Sequence, residues 1–181
     1  SKKLVVVPHG VEEIFQDTNE IKYREPFILA VSDIYVQKNF TTLINAIKSV
    51  AKRFPELKLK IAGRPIDDDY FSRLQRQIEV LGLQKNIEFL GHVRPQDLKV
   101  LYRKCFLFVF PSTVETFGNP LVEAMACGAP IASSNTAAMP EVLGKAALYF
   151  NPYSVEDMAT AIIYLMENEE AATCDRNIYP R

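Results

Sequence analysis

The chain has 181 residues, of which 48% are hydrophobic and 24% are charged, as in ordinary globular domains and unlike disordered or fibrous chains. Its formal net charge of -1 at pH 7 gives no overall field that would attract nucleic acid, so no nucleic-acid partner is predicted. No apolar stretch reaches the roughly 18 residues of a membrane-spanning helix, and the first residues show no signal-peptide pattern.

Cysteine usage predicts a reducing compartment. The chain has three cysteines, an odd number, at Cys105, Cys127 and Cys174, and their spacing matches no metal-binding motif. Cys105 and Cys127 lie in apolar surroundings and are predicted to be small core residues. A cytoplasmic location is therefore expected.

Short apolar runs alternate along the chain with amphipathic stretches. Strands are predicted over residues 4–7, 27–31, 57–62, 87–90, 106–110, 130–133 and 147–150. Helices are predicted over residues 40–54, 70–81, 95–104, 120–127, 139–143 and 154–166, with Gly82 and Ser154 as caps. This alternation predicts an α/β fold, a Rossmann-like, doubly wound parallel sheet of about six strands. Residues 1–168 are expected to form one domain, residues 18–25 a polar loop, and residues 169–181 a poorly ordered tail.

The strongest candidates for ligand-binding residues lie between residues 111 and 130, just after the most apolar predicted strand. Ligands of open parallel sheets bind beyond the carboxyl ends of the strands. Free amides at the start of the following helix favour an anion, and Gly118 lets a diphosphate approach the backbone. Glu115 and Glu123 can face the same cleft and accept hydrogen bonds from sugar and ribose hydroxyls. Alternatively, Glu115 is simply solvated and Glu123 complements the helix dipole.

The same segment, PSTVETFGNPLVEAMACGAP, resembles the E-x-F-G-x-x-x-x-E-A-M-A-x-G-x-P signature of retaining GT-B glycosyltransferases of the family 4 type. The matching residues are Glu115, Phe117, Gly118, Glu123, Ala124, Met125, Ala126, Gly128 and Pro130. Elsewhere in the chain, further segments resemble family elements and occur in the family's order. They are PHGV at residues 8–11, Lys38-Asn39, IAG at 61–63, FLGHV at 89–93 and PEV at 140–142. The resemblance covers about residues 5–166 and only the C-terminal, donor-binding half of such an enzyme.

The resemblance implies roles for individual residues. Glu115 would bind the transferred sugar and Lys38 would neutralise the leaving phosphates, so both are candidate catalytic residues. Glu123 would bind the ribose. The complete set of donor-binding candidates is Glu123, Phe117, Gly118, Asn119, Ser32, Gly63 and Val93. The donor would be a nucleoside-diphosphate sugar, with no cofactor and no metal, and Asp67-Asp68-Asp69 is interpreted as the acidic start of a helix.

The chain departs from the family pattern after the strand at residues 27–31. The family usually has Gly-Arg there, and its Arg grips phosphate, whereas this chain has Ser32-Asp33. A carboxylate opposes phosphate, so either Ser32 and backbone groups substitute for that Arg, or Arg64 or Arg94 does. His92 and His9 are interpreted as turn residues.

The predicted function is the transfer of a hexosyl group to a glycan or lipid-linked acceptor, with retention implied by the resemblance alone. The first predicted strand begins almost at residue 1, so an N-terminal acceptor domain is expected to be missing and the chain to be inactive alone. Through that domain, the protein could also contact the inner face of a membrane as a peripheral protein. One alternative is a non-catalytic nucleotide-sugar-binding or regulatory module. A dehydrogenase half is disfavoured, because no GxGxxG follows the first strand.

Overall fold

The computed structural model describes residues 10–16 and 23–168. The strands are β1 (Glu25–Val31), β2 (Lys58–Ala62), β3 (Ile87–Gly91), β4 (Cys105–Phe110), β5 (Ile131–Ser134) and β6 (Leu148–Phe150). The helices are α1 (Phe40–Arg53), α2 (Asp68–Leu81), α3 (Pro95–Lys104), α4 (Asn119–Ala126), α5 (Met139–Leu143) and α6 (Val155–Glu167). Short 3-10 helices cover Glu13–Phe15 and Val36–Lys38.

The predicted elements that fall within the described residues are confirmed, and each bound differs from the prediction by at most two residues. One assignment was wrong: Glu25 begins β1 rather than ending a loop, because it pairs with Cys105 on β4. The predicted strand at residues 4–7, the His9 turn, Cys174, the tail at 169–181 and most of the loop at 18–25 lie outside the described residues.

All six strands are parallel and lie in the order β3-β2-β1-β4-β5-β6. The chain therefore builds one half of the sheet outward from β1, returns to place β4 beside β1, and continues in the opposite direction. This confirms the doubly wound, Rossmann-like prediction and puts the topological switch point between β1 and β4.

Both faces of the sheet are covered, so the central strands are continuously apolar. On β1, Ile28 and Ala30 point into the core formed with α1, α2 and α6, and Phe27 and Leu29 point into the core formed with α3, α4 and α5. The neighbouring strand β4 alternates in the same way, since successive strand side chains point to opposite faces. Two cores thus hold the sheet from its two sides.

Helix termini and cysteines follow the predictions. The Asp67 carboxylate accepts a hydrogen bond from the Tyr70 amide at 2.8 Å, and the Ser154 hydroxyl accepts one from the Asp157 amide at 3.1 Å. Gly82 ends α2 with a φ of 68°. Cys105 and Cys127 are buried core residues, and burial raises the pKa of Cys105 to about 12. Across the described ranges, no helix has the length and apolarity needed to cross a membrane.

Asn39 ties together three loops at the carboxyl edge of the sheet. Its side-chain amide donates to the carbonyl of Pro111, after β4, at 3.1 Å and to that of Pro152, after β6, at 2.8 Å. Its side-chain oxygen accepts from the Thr42 hydroxyl at 2.6 Å. Asn39 itself has a φ of 57°, a left-handed conformation that Asn and Gly tolerate best. The residue before it, Lys38, is consequently held in a fixed position.

We predict that Asn39→Ala lowers the free energy of unfolding by about 2–4 kcal/mol, because three hydrogen bonds disappear and alanine is strained at positive φ. Asn39→Gly loses the same bonds without that strain, so it should cost about 1 kcal/mol less than the alanine variant. Urea unfolding of the two variants and the parent measures both values. Equal losses in the two variants would show that the left-handed conformation is not the constraint.

Candidate functional site

The candidate site lies at the carboxyl ends of β1 and β4, where the strand order reverses and where ligands of such sheets bind. The loops after these two strands are joined by a hydrogen bond from the Thr113 amide to the Gln37 carbonyl at 3.0 Å. The Thr113 hydroxyl donates to the same carbonyl at 3.2 Å. Residues on the two loops are therefore kept adjacent although 76 positions separate this pair in sequence.

Lys38 and Glu115 form an ion pair across these two loops. The Lys38 Nζ lies 2.6 Å from Glu115 Oε2, and the two side chains are only 11% and 17% exposed. The ammonium also lies 5.3 Å from the centroid of the Tyr35 ring and 5.9 Å from that of Phe110. The structure thus brings the two predicted catalytic residues into direct contact in a partly enclosed, aromatic-lined position.

The start of α4 is not capped by a side chain. Its N-cap is Gly118, which has a φ of 83°. A Cβ at that position would lie 2.8 Å from Leu121 Cδ1 and 3.3 Å from Glu115 Cγ, so glycine is required there for two reasons. Asn119, the exposed first residue of α4, follows it, and the partly buried Phe117 packs against the adjoining core. An uncapped helix start presents amides and a positive dipole end to an anion.

Glu123 is the fifth residue of α4 and has a different partner from Glu115. Its Oε2 accepts a hydrogen bond from the Tyr102 hydroxyl at 3.0 Å. Burial raises the pKa of Glu123 above its ordinary value; the hydrogen bond from Tyr102 lowers it in part, and the nearby charge of Glu12 raises it further. That the two carboxylates grip one ligand stays a prediction.

Ser32, Gly63 and Val93 lie on the loops after β1, β2 and β3. A Cβ on Gly63, whose φ is 152°, would lie 1.9 Å from the Ser32 carbonyl oxygen, so close packing of two loops is what requires this glycine. The Gly63 amide donates to the Gly91 carbonyl at 2.8 Å, two residues before the partly buried Val93. The Ser32 hydroxyl donates to the Asp33 carbonyl at 2.7 Å. Their roles toward a donor stay predictions.

Asp33 has a positively charged neighbour in Arg64. Asp33 accepts from the Arg64 amide at 3.0 Å and from its guanidinium at 3.3 Å. Partial burial works to raise the pKa of Asp33, but these hydrogen bonds and the Arg64 charge outweigh it and hold the pKa below its usual range. Arg94 instead pairs with Asp97 at 2.9 Å, at the exposed start of α3. Of the two arginines, only Arg64 contacts the position where the family pattern has its Arg.

The arrangement gives no sign of a metal centre. Within residues 10–16 and 23–168, no three His, Cys, Asp or Glu side chains are placed to hold a metal ion together. The absence of a metal from the reaction stays a prediction.

Two residues of the site were not predicted from the sequence. Tyr102 belongs to an amphipathic helix whose pattern gives no hint of its contact with Glu123, 21 positions away. Asn39 was named only as part of the Lys38-Asn39 element, and no role was predicted for its side chain. For Asn39, a signal existed: the family element that Lys38-Asn39 resembles is K-N or K-G, and a position that accepts either Asn or Gly is typical of a left-handed residue.

Comparison with protein families decides to which family the fold belongs. The family described as glycosyl transferases group 1 matches residues 11–179. This chain belongs to the glycosyl transferases group 1. Its fold is that of the C-terminal domain of GT-B members of the group, as expected from the signature around Glu115 and Glu123.

Relatives of this chain include bacterial mannosyltransferases. The serotype-specific mannosyltransferase WbdA of Escherichia coli is 32% identical over 158 residues, which are 87% of this chain and 19% of WbdA. The O-antigen chain mannosyltransferase RfbU of Salmonella typhimurium is 31% identical over 181 residues, which are 100% of this chain and 49% of RfbU. The chain therefore spans less than half the length of these relatives.

Solved structures agree with the fold. HepE from Anabaena, in complex with UDP and glucose, has a TM-score of 0.77 and 26% identity, covering 87% of this chain and 43% of HepE. The crystallised C-terminal domain of the group 1 protein LpcC from Francisella tularensis has a TM-score of 0.74 at 22% identity, covering 93% of this chain and 89% of that domain.

We predict that Gly63→Ala lowers the free energy of unfolding by at least about 3 kcal/mol, because the new methyl group collides with the backbone of Ser32. Gly82→Ala is the matched control: Gly82 also has a positive φ, 68°, but a Cβ there meets nothing within 4 Å. It should cost only about 1 kcal/mol. Urea unfolding compares the two; similar losses would mean that backbone conformation alone, not the loop contact, fixes Gly63.

We predict that Glu123→Gln stabilises the domain at pH 7.5. A carboxyl pKa raised by folding gives stability that is fully present below the unfolded pKa, about 4.3, and is lost as pH rises through the folded pKa. The neutral glutamine of the variant carries no such loss, so the gain should shrink towards pH 4. Urea unfolding at both pH values measures it, with Glu79→Gln on the exposed part of α2 as the control. A gain that grows on acidification contradicts the stated pKa direction.

Proposed function

We propose that this domain binds a nucleoside-diphosphate sugar and forms the donor site of a retaining hexosyltransferase that acts on a glycan or lipid-linked acceptor. The observation that carries the proposal is the enclosed Lys38–Glu115 pair, at 2.6 Å, beside the uncapped start of α4. A cation for the diphosphate and an acceptor for sugar hydroxyls lie next to each other, as the two ends of such a donor require.

The chemistry assigns complementary tasks to the pair. When the bond between the anomeric carbon and the diphosphate oxygen breaks, the electron pair leaves with the diphosphate. The Lys38 ammonium and the free amides near Gly118 and Asn119 stabilise that growing negative charge. Glu115 accepts hydrogen bonds from hydroxyls of the transferred sugar. The acceptor hydroxyl attacks the anomeric carbon from the face that the diphosphate leaves and gives its proton to the departing diphosphate oxygen, which gives retention.

The remaining candidates complete the donor site. Glu123 accepts hydrogen bonds from the ribose hydroxyls, and Phe117 borders the diphosphate. Ser32, Gly63 and Val93, on neighbouring loops at the same sheet edge, border the nucleoside. Arg64, held beside Asp33, supplies the second cation in place of the Arg of the family pattern.

Relatives support the donor class. HepE holds UDP and glucose, and WbdA and RfbU are mannosyltransferases, so glucosyl and mannosyl groups are the leading candidates. The match accounts for less than half of each of these proteins, and we propose that transfer needs an acceptor-binding domain in addition to this one. The proposed location is the cytoplasm, at the inner face of the membrane if the acceptor is a lipid.

We predict that the domain binds at least one of the UDP-, GDP- and ADP-sugars in calorimetric titrations. Lys38→Ala should weaken both the sugar nucleotide and its bare diphosphate by about 10- to 100-fold, as expected for one charge-assisted hydrogen bond. Glu115→Gln should weaken the sugar nucleotide but not the bare diphosphate, because the sugar loses an acceptor while Lys38 is freed from its partner.

Lys104→Ala is the matched control. Lys104 also forms a lysine–glutamate pair, with Glu25 at 2.9 Å, but at the start of β1 and hence at the opposite edge of the sheet. It should change neither affinity. Equal losses in the Lys38 and Lys104 variants, or no binding of any sugar nucleotide by the parent domain, would contradict the proposed donor site.

A further inference from the structure

The Tyr102–Glu123 contact is the part of the site that the proposed chemistry does not use. We propose that Tyr102 is a positioning residue that aims the Glu123 carboxylate at the ribose and so makes the site selective for ribonucleotides. This inference rests on the proposed function, because it takes the ribose as the ligand of Glu123.

Tyr102 is held rigidly. Its side chain is fully buried in the core beneath α3 and α4. Its ring packs edge-to-face against Phe108 on β4, with centroids 5.3 Å apart, and against Phe15, with centroids 6.0 Å apart. Aromatic pairs of this geometry are favourable beyond their buried area. The hydroxyl therefore has a fixed location and direction set by the core.

That fixed hydroxyl donates to one oxygen of Glu123. The distance to Oε2 is 3.0 Å, and Tyr102 is the hydrogen-bond donor found for this carboxylate among the residues that the structure describes. A carboxylate has two oxygens and about four acceptor positions. One oxygen is thereby anchored to the core, and Oε1 is left for a ligand with paired hydroxyls, which a ribose offers at its 2′ and 3′ positions.

A purely structural contact would not need a carboxylate. A buried tyrosine hydroxyl is satisfied by any acceptor, including a neutral amide. Here the acceptor is a half-buried acid, and burial of a charge is costly. Of the groups near Glu123, Tyr102 favours its ionised form and Glu12 opposes it. A donor from outside that binds the free oxygen, such as a ribose hydroxyl, would offset that cost.

The test compares Tyr102→Phe with the parent domain in calorimetric titrations. The ligands are UDP, GDP or ADP, whichever binds tightest, and its 2′,3′-dideoxy counterpart. The parent should prefer the ribonucleotide by about 10-fold or more, as expected for hydrogen bonds to a charged acceptor. Tyr102→Phe should reduce that preference about fivefold through the ribonucleotide alone, because the dideoxy ligand makes no contact with Glu123. The change removes one oxygen and keeps the packed ring, so the variant is expected to fold.

Three further variants sharpen the result. Tyr70→Phe is the matched control, since Tyr70 is also buried and its hydroxyl accepts from the Thr41 amide at 3.1 Å on the other face of the sheet. It should leave the preference unchanged. Adding Tyr102→Phe to Glu123→Gln should cause no additional loss, because both act through one carboxylate. Site-specific 4-aminophenylalanine at position 102 keeps a donor and should restore the preference.

The outcomes separate the two proposals. If Tyr102→Phe weakens both ligands equally, or the aminophenylalanine variant fails to restore the preference, Tyr102 is structural and this inference is overturned while the donor site stands. If Glu123→Gln keeps the full ribose preference, the role of Glu123 in the proposed function is wrong and the inference fails with it. If the parent binds no nucleotide, the proposed function itself fails.

Discussion

Placing β4 beside β1 is the constraint on which the site depends. The chain leaves the sheet at β3 and returns to the centre, so two loops that are distant in sequence end side by side. Lys38 is on one loop and Glu115 on the other, and their contact exists only because of that return. Two charges with so little exposure lose hydration, and only close pairing offsets the loss. Strand order and charge pairing are therefore two aspects of one arrangement.

The neighbouring loops are joined directly to one another. Asn39 joins the loops after β1, β4 and β6, and Gly63 lets the loop after β2 pack directly onto Ser32. These are polar and backbone contacts at an edge where the apolar cores end. Such a network preorganises side chains without ligand-induced folding of the loops, which is the requirement for stabilising charge in a transition state.

The helices and strands could be predicted well because hydrophobic periodicity and the residues that end an element are local properties of the sequence. Asp67, Gly82 and Ser154 mark helix ends by their own chemistry, so neighbouring residues alone reveal them. The signature around Glu115 and Glu123 likewise predicted which edge of the sheet carries the site. Contacts between distant residues could not be predicted in this way. The Tyr102–Glu123 contact depends on how α3 packs, and the Arg64–Asp33 contact depends on how the loop after β2 packs; no local sequence pattern encodes either.

Two pairs of opposite charges lie at this edge, Lys38 with Glu115 and Asp33 with Arg64. Opposite charges a few ångströms apart cancel beyond roughly a Debye length of 8–10 Å, so these two pairs exert little long-range attraction on a diphosphate. Encounter of the proposed donor with these loops is therefore expected to gain little from electrostatic steering and to depend little on ionic strength. Under the proposed function, recognition of the diphosphate then depends on contacts made after it reaches the site rather than on attraction from a distance.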